Sequence, residues 1–214
     1  MAFVADLVCP WCHIALHTLL PLLPRLGVEL AWHPFLLDPG MTPAGIPRTI
    51  YLERRFGSLD AARAVQERIQ RRGRELGLVF AFERIRRQPE TSTAHALLLA
   101  APAERRLGLA RALFRAFFEE GADLGDVECL EELARASGCA PELARGARSA
   151  DRLAAVRALH RRAVDAGIDG VPALLVPAVG VLAGAQPAEV FERFLELAVL
   201  FGRSSVPAQG RQAS

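Results

Sequence analysis

The chain has 214 residues, 51% of them hydrophobic and 23% charged, enough for one large domain, or one domain with an insertion, to build a core without a disulfide scaffold. Its 26 basic and 24 acidic residues leave a formal charge of only +2, which excludes the basic surplus of a nucleic-acid-binding face. No run reaches the ~18 to 20 uninterrupted apolar residues of a membrane span, since prolines and glycines break the longest candidate, Val171 to Ala185.

In chain order, residues 3–8 (FVADLV) read as a short apolar strand. The chain then turns through Cys9-Pro10 into a helix whose Ile14, Leu16, Leu19, Leu20 and Leu23 recur at helical spacing. After Gly27, residues 28–37 (VELAWHPFLL) read as a second strand, and DPGMTPAGIP as a loop. From about Arg48 to Asp165 the pattern is helical, most clearly over 60–76, 93–101, 104–119, 127–136, 141–148 and 152–165. The Arg clusters within it (Arg71, Arg72, Arg74; Arg84, Arg86, Arg87) are interleaved with Glu67, Glu75, Glu83 and Glu90, as on a solvated helix face. Strand pattern returns at 171–176 (VPALLV) and, after a PAVG turn, at VLA. Gln186-Pro187 opens a last amphipathic helix, and the tail from residue 202 reads as frayed and flexible.

The order is β-α-β, a block of helices, then β-β-α. It predicts an α/β fold made of residues 1–42 and 166–201, interrupted by a helical insertion over 43–165 that lies as a lid beside the site. Two halves of one sheet would bring the N-terminal turn next to the C-terminal hairpin.

That turn carries Cys9-Pro10-Trp11-Cys12-His13, whose spacing fits half of a zinc site, a haem attachment box or a redox dithiol. Zinc lacks a second ligand pair, because Cys129 and Cys139 stand too far apart in sequence and His13 and His17 lie on an apolar helix; no metal site is expected. Haem lacks a sixth ligand, Met41 being the only internal Met, and needs an oxidising compartment. No export signal fits ahead of Cys9, so the expected location is the cytoplasm, where cysteines serve as catalysts, ligands or buried apolar groups.

A redox dithiol has its context. At a helix N-terminus the Cys9 sulfur meets the positive end of the helix dipole, which favours thiolate, and Cys12, one turn inward, is placed to resolve a mixed disulfide. Pro10 suits the first helical position, and Trp11 gives the turn a rigid apolar surface. His13, four residues after Cys9, is either a surface histidine or an imidazolium that tunes the thiolate. His33 reads as a packed, hydrogen-bonded residue, and Cys129 and Cys139 as buried apolar groups too far apart for a disulfide. Leu36, Leu37 and Met41 suggest a wall of a substrate groove.

The residues Asp6 to Cys12, Trp32 to Phe35, Asp38-Pro39, Thr91, Ala94-His95, Gly170-Val171-Pro172 and Gly184 to Pro187 resemble the DsbA-like thioredoxin superfamily, in particular its FrnE-type branch. That family is related to 2-hydroxychromene-2-carboxylate isomerase and kappa-class glutathione transferase. The resemblance implies a thioredoxin fold with a helical insertion and a cis Val171-Pro172 bond facing the cysteines. It also implies a disulfide oxidoreductase in which Cys9 and Cys12 cycle through a redox-active disulfide and Val171 pairs with an extended substrate.

The expected partners are a thiol or disulfide substrate and glutathione as redox partner, with no tightly bound cofactor and a homodimer as the remaining assembly. The competing readings are a glutathione-dependent isomerase or transferase, which needs no protein dithiol, and a non-catalytic thioredoxin-like binding module. Departures from the family pattern are His13 in place of an aromatic residue, Glu90 in place of Asn and Ala183 in place of Ser. The first strand begins early relative to the family, which suggests a start codon further upstream.

Overall fold

A computed structural model describes residues 1–176 and 179–204 of the chain. It begins with β1 (Ala2–Ala5), α1 (Pro10–Leu19), α2 (Leu22–Leu26) and β2 (Ala31–Pro34). A two-residue strand β3 (Ile46–Pro47) leads into α3 (Arg48–Phe56) and α4 (Leu59–Glu75). A 3₁₀ turn (Phe82–Arg84) and β4 (Arg87–Gln88) follow, then α5 (Ser92–Ala100) and α6 (Ala103–Arg115), which runs into a π-helical turn (Ala116–Glu120). Helices α7 (Val127–Ala136), α8 (Glu142–Gly146) and α9 (Ala150–Asp165) complete the helical block. The chain returns through β5 (Ala173–Val176), β6 (Gly180–Ala183) and α10 (Ala188–Ser204).

The main sheet has the order β2-β1-β5-β6, with β1 parallel to β2 and antiparallel to β5, and β5 antiparallel to β6. Phe3 of β1 stands opposite Trp32 on one side and Leu174 on the other. The two ends of the chain therefore build one sheet, and residues from both meet at the end of β1. The intervening block is helical except for the antiparallel pair β3–β4, two residues on each strand.

Local chemistry explains most boundaries. Strand β1 stops before Asp6 rather than running to Val8, because the Asp6 carbonyl turns back to accept from the Cys9 amide at 3.1 Å. Pro21 has no N–H to continue the first helix, which breaks between Leu19 and Leu22 instead of running on to Leu23. Strand β2 is shorter than the apolar run suggests because the Val28 amide is used to close α2 on the Leu23 carbonyl. Side-chain caps start two helices: Ser58 accepts from the Ala61 amide at 3.1 Å, and Asp126 from that of Glu128 at 3.1 Å. Helix α3 is the element that spacing did not single out. Its polar composition leaves Arg48 as its only buried residue.

Helix α1 is nearly all apolar and is covered on several sides, packing against α2, α4, α6 and α10. Phe114, Phe117 and Phe118 of the helical block are fully buried with Ile14, Leu16 and Leu19 of α1. The helix that carries the dithiol is thus enclosed by helices from both the insertion and the two ends of the chain. The π turn ends at Gly121, where φ is +74° and an added Cβ would lie 2.5 Å from the Arg84 carbonyl oxygen, so only glycine fits. The tail predicted as flexible lies outside the described residues from 205 onward, and α10 continues to Ser204.

Candidate active site

Cys9 is the residue that caps α1, with extended backbone (φ −93°, ψ 113°), and Pro10 takes the first helical position. Its carbonyl accepts from the amides of Cys12 at 3.0 Å and His13 at 3.2 Å, which fixes Cys12 one turn into the helix. Both thiols are free. Cys9 keeps 5% exposure whereas Cys12 has none, so an incoming sulfur reaches Cys9 first.

The Cys9 thiol donates to the Val171 carbonyl, 162 residues further on, at 3.6 Å, and accepts no capping hydrogen bond from the first turn of α1. The Val171–Pro172 peptide is cis, and the Pro172 carbonyl accepts from the Gly184 amide at 2.8 Å, which ties this segment to the start of the GAQP loop. Pro172 is buried, whereas Pro10, Trp11 and Val171 are half-buried around Cys9. Gln186 Nε2 donates to the Ala183 carbonyl at 2.7 Å and holds that loop rather than the dithiol.

Burial pushes the Cys12 thiol well above its ordinary value, reinforced by its hydrogen bond to Cys9 and the nearby Cys9 and Asp6 charges; a backbone hydrogen bond from Asp6 opposes this only in part. Cys12 is a poor thiolate unless a base takes its proton. Among the groups whose charge Cys12 feels is Asp6. Asp6, 1% exposed, accepts from the Leu37 amide at 2.8 Å through Oδ2, while Oδ1 lies 3.3 Å from His95 Nε2. His95 is fully buried and accepts through Nδ1 from Trp32 Nε1 at 3.1 Å. This Trp32–His95–Asp6 chain joins β2, α5 and the end of β1, where the Asp6 carbonyl accepts from the Cys9 amide.

The structure corrects the two readings of His13. It is neither a surface residue nor an imidazolium beside Cys9. It is 6% exposed, with its ring 5.6 Å from Phe80, 5.1 Å from Phe114 and 5.9 Å from Phe118. Burial first, then the charges of His17 and Arg111, lower its pKa from 6.5 to about 4, so the ring is neutral and has no charge to lend.

This has a measurable consequence for stability. Above pH 6.5 His13 is neutral in both the folded and the unfolded chain. Between 6.5 and about 4 the unfolded chain takes up a proton that the folded one refuses, so stability falls with the pH, by about 3 kcal/mol once complete. His13→Phe is expected to flatten that acid limb in urea melts taken across the window. An acid limb as steep as wild type would show that another group causes it.

Other expectations resolve by position. His33 is packed, its Nε2 meeting the Leu159 carbonyl at 2.9 Å. Leu36 is 3% exposed and belongs to the core rather than to a groove wall, and the Leu37 amide is spent on Asp6, whereas Met41 is half-buried. Glu90 accepts from the Ser92 amide at 2.9 Å and so serves the start of α5. Cys139 is buried and Cys129 half-buried, both free; burial pushes the Cys129 thiol up to about 11. Among the described residues no group of three or more His, Cys, Asp or Glu is gathered as a metal would need. Among the same residues no helix is long and apolar enough to cross a membrane.

Two residues near the site carried no signal in the sequence. Arg48 is 9% exposed, donates to Gln88, and sits 5.1 Å from the Tyr51 ring centroid and 6.0 Å from that of Phe117. Burial lowers its pKa to about 10. Burial raises that of Tyr51, opposed by the Arg48 and Arg55 charges and reinforced by those of Asp6 and Cys9. An Arg among many Arg residues, and the single Tyr of the chain, could be found only by knowing where α3 docks.

A dithiol at the start of the first helix, faced by a proline from the far end of the chain within a β-α-β and β-β-α sheet, defines a thioredoxin-like protein of the DsbA kind. A family model, the DSBA-like thioredoxin domain, matches residues 1–196, and the chain belongs to that family. A Streptomyces coelicolor structure described as a "probable DsbA oxidoreductase" is 31% identical, covering 92% of this chain and 88% of that one with a TM-score of 0.80. The cytosolic disulfide reductase DsbM of Pseudomonas aeruginosa shares the fold at 22% identity, covering 94% of this chain and 98% of that one, with a TM-score of 0.68; its structure is also known with GSH. A 2-hydroxychromene-2-carboxylate isomerase shares it at 14% identity, covering 95% of this chain and 94% of that one, with a TM-score of 0.67.

Proposed function

We propose that this protein is a cytoplasmic thiol-disulfide oxidoreductase of the FrnE type, working through Cys9 and Cys12. The observation that carries the reading is the asymmetry of the pair: Cys9 is the thiol that solvent reaches, at the helix start, and Cys12 is sealed one turn behind it. Cys9 as thiolate attacks one sulfur of a disulfide, releasing the other as a thiolate. Cys12 gives its proton to the Asp6 carboxylate and attacks Cys9 Sγ. The protein disulfide forms, the mixed disulfide breaks, and the electron pair leaves on the second substrate sulfur, which takes up a proton from water.

Val171 and Pro172 are the backbone that faces this exchange. Once Cys9 is bonded to substrate its thiol no longer holds the Val171 carbonyl, which is then free for the amide of an extended chain. Pro10 and Trp11 form the rim on which that chain rests. Glutathione is proposed as the thiol that returns the oxidised pair to its reduced form, a reading supported by the DsbM structure with GSH. The glutathione-dependent isomerase reading shares the fold but leaves Cys12 without a use, as does a binding module.

The test is titration in glutathione redox buffers with the remaining thiols trapped by a maleimide. The expected result is a reversible intramolecular Cys9–Cys12 disulfide whose population follows the ratio of reduced to oxidised glutathione. A wild-type protein that never forms this bond sinks the proposal.

A further inference from the structure

An indole N–H can donate a hydrogen bond but cannot accept one. Because Trp32 Nε1 donates to His95 Nδ1, that nitrogen must hold a lone pair, and the proton of the neutral ring must lie on Nε2, facing Asp6 Oδ1. We propose that Trp32 and His95 are positioning residues that keep the imidazole neutral and aim its N–H at Asp6, so that the proton leaving Cys12 goes to the carboxylate and not to the histidine. The inference rests on the dithiol reading and assigns roles to two residues that the exchange chemistry alone does not need.

The geometry closes His95 to the proton. Protonating His95 would set an Nδ1–H against the Trp32 N–H, two donors pointed at each other in a place closed to water, since His95 has no exposure and Trp32 only 4%. The indole has little room to turn away. Its ring meets Phe3 edge-on at 5.9 Å and lies 6.1 Å from Phe114. Asp6 in turn receives the Leu37 N–H on one oxygen and the His95 N–H on the other, which holds the carboxylate in one orientation.

Other titratable groups face this chain from each neighbouring element: Cys9 and Cys12 on α1, Tyr51 on α3 and His160 on α9. His160 Nδ1 accepts from the Leu36 amide at 3.2 Å, and burial lowers its pKa, so it is uncharged near neutrality. Burial raises that of Tyr51, which is uncharged there as well. The Tyr51 phenol keeps its own proton and the His160 Nδ1 lone pair is taken by the Leu36 amide, so neither is set to take the proton in place of Asp6.

The test uses the whole protein in two ways. In imidazole ¹⁵N NMR of the wild type, His95 is expected to stay in the neutral form protonated on Nε2 throughout the pH range in which the exchange rate changes. Conversion to the imidazolium, or a proton on Nδ1, overturns the inference whether or not any variant folds. The second measurement is reaction with 5,5′-dithiobis(2-nitrobenzoate): Cys9 releases one thionitrobenzoate in forming the mixed disulfide, and Cys12 releases a second in resolving it.

His95→Ala is expected to slow the second release by about tenfold or more by loosening the base. His95→Gln, whose amide can accept from Trp32 and donate to Asp6 but cannot carry a proton, should restore most of the rate and the wild-type pH profile. Trp32→Phe should add an imidazole titration to that profile. If His95→Gln is as slow as His95→Ala, the histidine carries the proton itself; if Trp32→Phe leaves the profile unchanged, the indole does not set the tautomer. Failure of the dithiol reading looks different, because the wild type would then show no intramolecular Cys9–Cys12 disulfide by mass, whatever Cys129 and Cys139 release.

Discussion

Cys9→Ser is expected to lower disulfide exchange by on the order of 10³-fold or more, as loss of a covalent nucleophile does. The serine hydroxyl is not ionised near neutrality and cannot attack a disulfide. Cys12→Ser has a different expected result: Cys9 still attacks, and the reaction stops at the mixed disulfide because nothing behind it can resolve the bond. The trapped adduct is read by intact mass, and its partner identifies the substrate class.

Burial adds a control. Cys12 is fully enclosed, so a serine there buries a hydroxyl at a cost of about 1–3 kcal/mol, and Cys12→Ala separates the chemical loss from any loss of stability. Full activity in Cys9→Ser, or equal accumulation of adduct in wild type and Cys12→Ser, would refute the assignment of the two sulfurs.

The largest expected loss of stability comes from Phe118→Ala, at about 3–5 kcal/mol. Phe118 is fully buried, and its ring neighbours are His13, Phe80, Phe82, Phe114 and Phe117. Truncation leaves a cavity at the point where the π turn, α6 and α1 meet, and the clamped backbone of that turn resists collapse into it. A domain of ordinary stability, about 5–15 kcal/mol, would lose a large share of it. The urea midpoint should fall accordingly while the slope stays constant. A loss below about 1 kcal/mol would mean that the aromatic cluster repacks freely around α1, and would undo the view that the insertion holds the dithiol helix in place.

Strong local signals made part of this site legible in sequence. Cys9-Pro10 at the junction of a strand and an apolar helix places the first sulfur at a helix start, because Pro fits the first turn and not the interior. The Thr91 and Ala94-His95 match also lay in plain view, yet nothing local says that His95 turns inward to a carboxylate. His13 misled for a related reason. The spacing from Cys9 to His13 describes a helix face, but which face meets solvent depends on what packs there, and Phe80, Phe114 and Phe118 cover this one. Asp6 could have been flagged as a charged residue inside an apolar strand pattern, a placement that requires buried partners.

The amino-acid sequence by itself determined the order of elements, the helix that begins at the dithiol, the interruption of the sheet by helices, and the family resemblance, because each depends on residues close together along the chain. The tertiary structure alone decided the chemistry around the sulfurs. Val171 meets Cys9 across 162 residues, His95 meets Asp6 across 89, and Trp32 meets His95 across 63. Those contacts exist only once β5 joins β1 and the helical block closes over α1, since hydrogen bonds and desolvation act over a few ångströms of space, whatever the separation along the chain.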